Sequence, residues 1–261
     1  MALSQEPSVW KEKQMGLHER NWPGVRGHLR QGPVAPERSL RIKAFYSLLP
    51  YISHLARRRR MRNFVQLMEI KPGTRVLDLG GSPRIWDNVD VPLDVTMLNL
   101  PGAIPSAELE DIRTPGANIH RFHHLEGDAC NVAQFPDDSF DLVFSNSVIE
   151  HVGPEDKQDA FAREVLRLGK SYWVQTPSPW FPIEAHSGLP FYWFYPERFR
   201  AWLLQQSQKT LPTWWTEYIA TTRVLTRRRV AKLFPNARIR VEFLFGLPKS
   251  YVAYSVGKRS H

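Results

Sequence analysis

Short apolar runs, spaced too closely for anything but an alternating sheet, constrain this chain most. They read "RVLDL" at 75–79, "DVTMLNL" at 94–100, a stretch within "IHRFHHLEGD" at 119–128, "FDLVFS" at 140–145 and "SYWVQT" at 171–176. Short runs of this kind, bounded by turn residues, read as strands. A helix is predicted at 155–168, between the fourth and fifth runs. Strands alternating with helical stretches form a parallel sheet with helices on both faces. Two later runs, at 238–245 and 250–257, are joined only by Gly-Leu-Pro-Lys at 246–249. Parallel strands need a long crossover, so this pair is expected to be antiparallel. The expected fold class is α/β: a mostly parallel sheet of seven strands with an antiparallel last pair.

At 261 residues, 42% of them hydrophobic, the chain can bury one sizeable core with added elements. The single cysteine, Cys130, excludes an intrachain disulfide framework and suits a reducing, cytoplasmic compartment. No run of about 18 apolar residues suggests a membrane span, and the first residues lack the apolar core of a signal peptide. The net charge of +9 is localised: residues 1–62 hold 13 Lys/Arg against 4 Asp/Glu, whereas the remainder holds 22 of each sign. Residues 1–38, rich in Pro, Gly, Arg and Trp, read as an extended arm. Ser39 can cap a helix that Pro50 breaks, and a second helix runs to about Met68 with Phe64, Leu67 and Met68 on its apolar side. The arginines Arg57 to Arg60 fall on all sides of it. They belong to a solvated helix whose other face packs on the body, or to a contact with an anionic membrane or a nucleic acid. The organisation expected is a basic arm with helices at 1–69 and a domain at 70–261, carrying an aromatic-rich cap insertion at about 177–235.

The first strand runs into Asp78-Leu79-Gly80-Gly81-Ser82-Pro83-Arg84. In open α/β sheets such a loop lies where ligands bind. A pyrophosphate wants G-x-G-x-x-G and a helix offering backbone N–H groups. Here a third glycine is missing and Pro83 removes a donor. A ligand with a cationic amino-acid end suits the loop better: Asp78 offers a carboxylate to an ammonium, and Gly80 and Gly81 permit close approach to the backbone. That combination points to S-adenosylmethionine as cofactor.

The pieces "VLDLGGSP", "LEGDACNVAQFPDDSFDLVFSNSVIEHV" and "EVLRLGKSYWVQTP", covering roughly residues 70–178 in order, resemble the class I S-adenosylmethionine-dependent methyltransferases of the type 11 group. A weaker match follows at "KLFPNARIRVEFLFGLPKSYVAYSVG". The resemblance implies a Rossmann-like fold and methyl transfer. It implies that Asp78 and Gly80, with Gly81 and Ser82 in the same loop, lie against the methionine part of the cofactor. Asp128 would accept from the adenine amino group, Ala129 would give its backbone N–H to the ring, and Ser145 and Asn146 would line the floor. Ser82 and Arg84 stand where the family has glycines. Asn99 stands where it has the acid that grips the ribose; an amide still bonds a hydroxyl but loses the charge-assisted contact. Read alone, Asp78 is also compatible with a strand-end turn, Asp128 with a loop acid, and "DDSF" at 137–140 with a solvated turn.

A hydroxyl acceptor needs a base for its proton, whereas a carboxylate acceptor needs none. Two places offer one. Glu150-His151 follows the fourth strand, where His151 either serves as base or organises the turn into the next helix. Glu184-x-His186, in "FPIEAH", places both side chains on one side of an extended loop, as a carboxylate–imidazole pair or as exposed polar residues. Two such ligand-type residues do not make a metal site. The segment "TPSPWFPIEAHSGLPFYWFYPERF" is similar to bacterial methyltransferases associated with polysaccharide or lipid-linked sugar synthesis. Its Trp180, Phe181, Phe191, Trp193, Phe194 and Tyr195 either stack on a sugar or other small-molecule acceptor or pack a lid on the core. The expected function is O-methylation of a small-molecule or saccharide acceptor. One alternative is a nucleic-acid methyltransferase using the basic arm, although "SNSV" after the fourth strand lacks the aromatic motif that stacks a target base. Another is a non-catalytic binding module, favoured by Ser82, Arg84 and Asn99.

Overall fold

The computed structural model describes residues 56–105, 108–110, 118–184, 189–209 and 213–257. The basic arm, the helix expected from Ser39, and His186 lie outside the described residues. The chain divides into two compact units, Met1–Ala35 and Pro36–His261, and every described residue belongs to the second.

Seven strands form one sheet: β1 (Arg75–Leu79), β2 (Asp94–Asn99), β3 (Arg121–Glu126), β4 (Phe140–Asn146), β5 (Gly169–Pro177), β6 (Arg238–Leu244) and β7 (Leu247–Ser255). Their order is β3-β2-β1-β4-β5-β7-β6. The first five are mutually parallel, and β7 is antiparallel to both β5 and β6. This is the expected α/β architecture with its antiparallel last pair. The chain moves from β1 outward to β2 and β3, then returns to the other side of β1 as β4. A crevice therefore opens at the carboxyl ends of β1 and β4, where the direction of winding reverses.

Alternate residues of each strand feed two cores. Leu77, Leu79, Val143, Tyr172 and Val174 face α2 (Glu155–Leu168) and α5 (Arg227–Leu233), which bury Phe161, Val165, Val230 and Leu233 against them. Val76, Leu142, Phe144 and Trp173 face the helix α1, of which residues 56–67 are described and which contributes Met61 and Phe64. Phe64 meets Trp86, Phe144 and Trp173 edge-on at centroid distances of 6.0, 5.1 and 5.5 Å. Of the arginines expected to be solvated, Arg57, Arg58 and Arg59 are exposed, but Arg60 is buried. Its guanidinium donates to Glu242 on β6 and, at 2.6 Å, to Asn146 Oδ1 at the end of β4. This turn of α1 is thereby fastened to the carboxyl edge of the sheet.

Two local features differ from the sequence reading. The glycine loop opens no long helix; Pro83 starts a six-residue 3-10 helix, Pro83–Asn88, whose purpose is to bury Trp86. The β6–β7 turn is tighter than expected, for β7 already begins at Leu247. Phe245 and Gly246 form the turn with φ of 52° and 75°, the signs of a type I′ hairpin. Beyond β5, α3 (Glu197–Ser207) and α4 (Thr213–Thr221) lie in the aromatic-rich insertion.

Candidate active site

The carboxyl ends of β1 and β2 place Asp78 and Asn99 on either side of the glycine loop. Asp78 is wholly buried. Its Oδ2 accepts from the Trp86 indole at 2.9 Å, and its Oδ1 has no hydrogen-bond partner among the described residues. Burial pushes its pKa up to about 7, against the lowering effect of the Trp86 bond. Asn99 is buried too; its Nδ2 donates to Gly81 O at 3.0 Å, and its Oδ1 is likewise without a partner among the described residues. Buried polar atoms are nearly always satisfied, so two unsatisfied acceptors flanking one loop mark a place for a ligand that brings donors. A phosphate, which brings acceptors, relieves neither.

The two glycines are explained differently from the expectation. A Cβ on Gly81 would lie 1.7 Å from Asp78 Oδ2, and one on Gly80 would lie 2.7 Å from a Val148 methyl. The space beside each is thus filled by the chain's own side chains, and Gly80 also needs its φ of +74°. Gly81→Ala should force the Asp78 carboxylate out of place. Overpacking of this kind costs about 1–3 kcal/mol or more, and thermal unfolding should show a lowered midpoint together with loss of cofactor binding. Ser82 caps the 3-10 helix with no side-chain hydrogen bond, and Arg84 pairs with Glu108 at 3.0 Å.

Asp128 follows β3 and is exposed. Its Oδ1 accepts from Cys130 N at 2.8 Å and its Oδ2 lies 3.7 Å from Lys157 Nζ, which holds the carboxylate beside Ala129. Ser145 is buried and donates to Leu79 O at 3.1 Å, tying the end of β4 to that of β1. Asn146 is held by Arg60.

The second cluster joins parts of the chain that looked separate in sequence. His151 stacks on Tyr218 of α4 with ring centroids 4.4 Å apart. Its Nε2 lies 2.8 Å from the Tyr218 hydroxyl and 3.8 Å from Glu150 Oε1, and its Nδ1 lies 3.2 Å from Thr222 Oγ1. Thr222 gives its one hydroxyl proton to Tyr218 O, so toward His151 it accepts. Nδ1 therefore carries the ring proton, and Nε2 accepts from the Tyr218 hydroxyl. Glu150 is buried and accepts from Thr176 Oγ1 at 3.0 Å. Burial first, then the Glu150 and Glu184 carboxylates, raise the Tyr218 pKa and keep the phenol protonated. Glu184 is buried, not an exposed loop residue. The two candidate carboxylates thus converge on Tyr218, which the sequence reading did not single out. Its only sequence signal was an aromatic-rich insertion. Within that insertion Tyr192 is buried, but Trp180, Phe191 and Phe194 are largely exposed, and Trp180 and Phe194 pair at 4.9 Å.

Residues 99–171 match the family described as Methyltransferase domain (Methyltransf_11). Over these residues, which run from the end of β2 into β5, the chain has the sequence pattern of a methyltransferase domain. It is 29% identical over 136 residues to phosphoethanolamine N-methyltransferase 3 of Arabidopsis thaliana, a match covering 47% of this chain and 26% of that protein. The chain thus spans about a quarter of the length of that curated relative. Among solved structures, phosphoethanolamine N-methyltransferase 2 of Haemonchus contortus, in complex with S-adenosyl-L-methionine, aligns over 77% of this chain and 52% of its own, with a TM-score of 0.51 and 14% identity. The N-terminal domain of EvdMO1, crystallised in the presence of SAH and D-fucose, aligns over 78% and 83%, with a TM-score of 0.50 and 15% identity. At these identities the structural likeness is one of fold. Among the described residues no helix is long and apolar enough to cross a membrane.

Proposed function

We propose that the chain is an O-methyltransferase that uses S-adenosylmethionine to methylate a hydroxyl of a saccharide or similar small acceptor. The observation that carries the reading is the pair of buried, unsatisfied acceptors, Asp78 Oδ1 and Asn99 Oδ1, on either side of the glycine loop. An amino-acid ammonium and ribose hydroxyls are the donors that would satisfy them. Asp128, exposed at the end of the neighbouring strand, would accept from the adenine amino group, and Ala129 would offer its N–H. Ser145 and Asn146 would form the floor. When bound, S-adenosylmethionine supplies a methyl group on a sulfonium, a reaction that asks the protein mainly for alignment.

The protein's remaining task is the acceptor proton. Tyr218 donates to His151 Nε2, so a proton arriving at the phenol oxygen is passed on to the imidazole without forming a free phenolate. Glu150, 3.8 Å from that nitrogen, stabilises the imidazolium that results. The exposed Trp180 and Phe194 offer an aromatic wall for a sugar face, and the sugar named with EvdMO1 supports this acceptor class. An amine acceptor, suggested by the phosphoethanolamine enzymes, is the second reading. A cytoplasmic location fits the lone, partly buried Cys130.

Incubating the full chain with S-adenosylmethionine and separate panels of sugars, phosphoethanolamine and RNA, then following homocysteine-nucleoside release, tests the reading. Turnover confined to hydroxylated acceptors is expected. Turnover with phosphoethanolamine or RNA alone would reassign the acceptor, and failure to bind the cofactor would favour a non-catalytic module.

A further inference from the structure

Arg57 to Arg60 of α1 and the β6–β7 hairpin meet at the carboxyl edge of the sheet. β6 runs in the direction of β5, since both are antiparallel to β7. Its end at Leu244 therefore lies on the same edge as the crevice, and the turn projects past the end of β5, where Pro177 pairs with Ser250. Arg60 brings its turn of α1 to this edge. A cavity there is lined by Arg59, Arg60, Arg240 and Lys249, with Glu242 and Phe243. The one carboxylate is already engaged by Arg60 and Ser250. Arg57 and Arg58 add exposed positive charge on the same turn of helix. Burial, and then repulsion from Arg60, hold the Lys249 pKa below its ordinary value.

Beside this charge the hairpin presents large apolar side chains to solvent: Phe243 is 59% exposed, Phe245 79% and Leu247 43%. Phe245 sits at positive φ in the turn, where Asn, Asp or Gly would be preferred. Turn chemistry thus opposes the phenylalanine, and packing does not demand it.

We propose that the hairpin tip and the α1 arginines Arg57 to Arg60 form a docking surface for an anionic lipid bilayer. Apolar side chains enter the boundary between headgroups and acyl chains while the cations meet lipid phosphates. A soluble anion would use the cations and leave the aromatic tip in water; a bilayer uses both. Docked this way, the protein would turn the edge bearing the crevice toward the membrane.

Co-sedimentation of the full chain with phosphatidylcholine vesicles, with and without phosphatidylglycerol, tests this without any methyl donor, so it is independent of the proposed activity. Binding is expected only with phosphatidylglycerol and should weaken in high salt. Removing Arg57, Arg58 and Arg59 together, each to Gln, should lower it by about fivefold per residue, or roughly a hundredfold. Phe245→Asn suits the turn, so it should keep or raise the unfolding temperature while lowering vesicle affinity about tenfold or more. Equal binding to neutral vesicles, no vesicle binding, or binding that survives both variants would overturn the proposal. So would preferential binding of a single-stranded RNA that depends on the arginines and ignores Phe245→Asn.

Discussion

Asp78→Asn should weaken S-adenosylmethionine binding by about 10- to 100-fold at pH 8, the range for a hydrogen bond to a charged group, and should abolish the pH dependence of that binding. The carboxyl titrates at about 7 because it is buried. An ammonium binds its ionised form, so below pH 7 a proton must leave first. The apparent affinity of the native protein should then fall by about tenfold per pH unit, and the Asn variant should show a flat profile by calorimetry. Stability carries the same signature with the opposite sense. Between about pH 4 and 7 the folded protein holds a proton that the unfolded chain has lost. The native free protein is therefore most stable below this range and loses up to about 4 kcal/mol as pH rises through it. The Asn variant should lack this loss. Cofactor-free denaturant unfolding at pH 5 and pH 8 reads it directly.

His151→Gln should lower kcat by about 100- to 10,000-fold while leaving cofactor affinity unchanged, the usual cost of losing a general base. The Nδ1–H tautomer set by Thr222 leaves Nε2 as the acceptor of the Tyr218 proton. Tyr218→Phe should therefore lower kcat as well, and both variants should lose the acid limb of the pH–rate profile. A residue that only organised the turn into α2 would change stability without moving that limb. His186→Ala provides the contrast. If it removes the limb and His151→Gln does not, the base lies in the cap loop instead.

The strands and α2 were readable because buried parallel strands and an amphipathic helix write continuous local patterns. Asp78 stood out as a carboxylate at the end of an apolar run before two glycines, whereas Asn99 and Asp128 were marked only by the resemblance to the type 11 methyltransferases. Contacts between distant segments left no such trace. Arg60 looked solvated because its partner Glu242 lies 182 residues away. Trp86 was given no role from the sequence, and nothing near it there tells that its indole N–H serves Asp78. Tyr218 sits 67 residues from His151, inside a segment whose many aromatics hid the one with a polar task. The glycines were located correctly, but the side chains that require them, Asp78 and Val148, could be seen only once the sheet was assembled. The final turn was placed about two residues too late because Phe-Gly lacks the usual Asn-Gly signal of a type I′ hairpin.

A crystal structure of the full chain grown with S-adenosylhomocysteine tests the core of this account most directly. The ligand's amino nitrogen should lie within hydrogen-bonding distance of Asp78 Oδ1, and a ribose hydroxyl within that distance of Asn99 Oδ1. A ligand seated elsewhere, with both oxygens still unsatisfied, would contradict it.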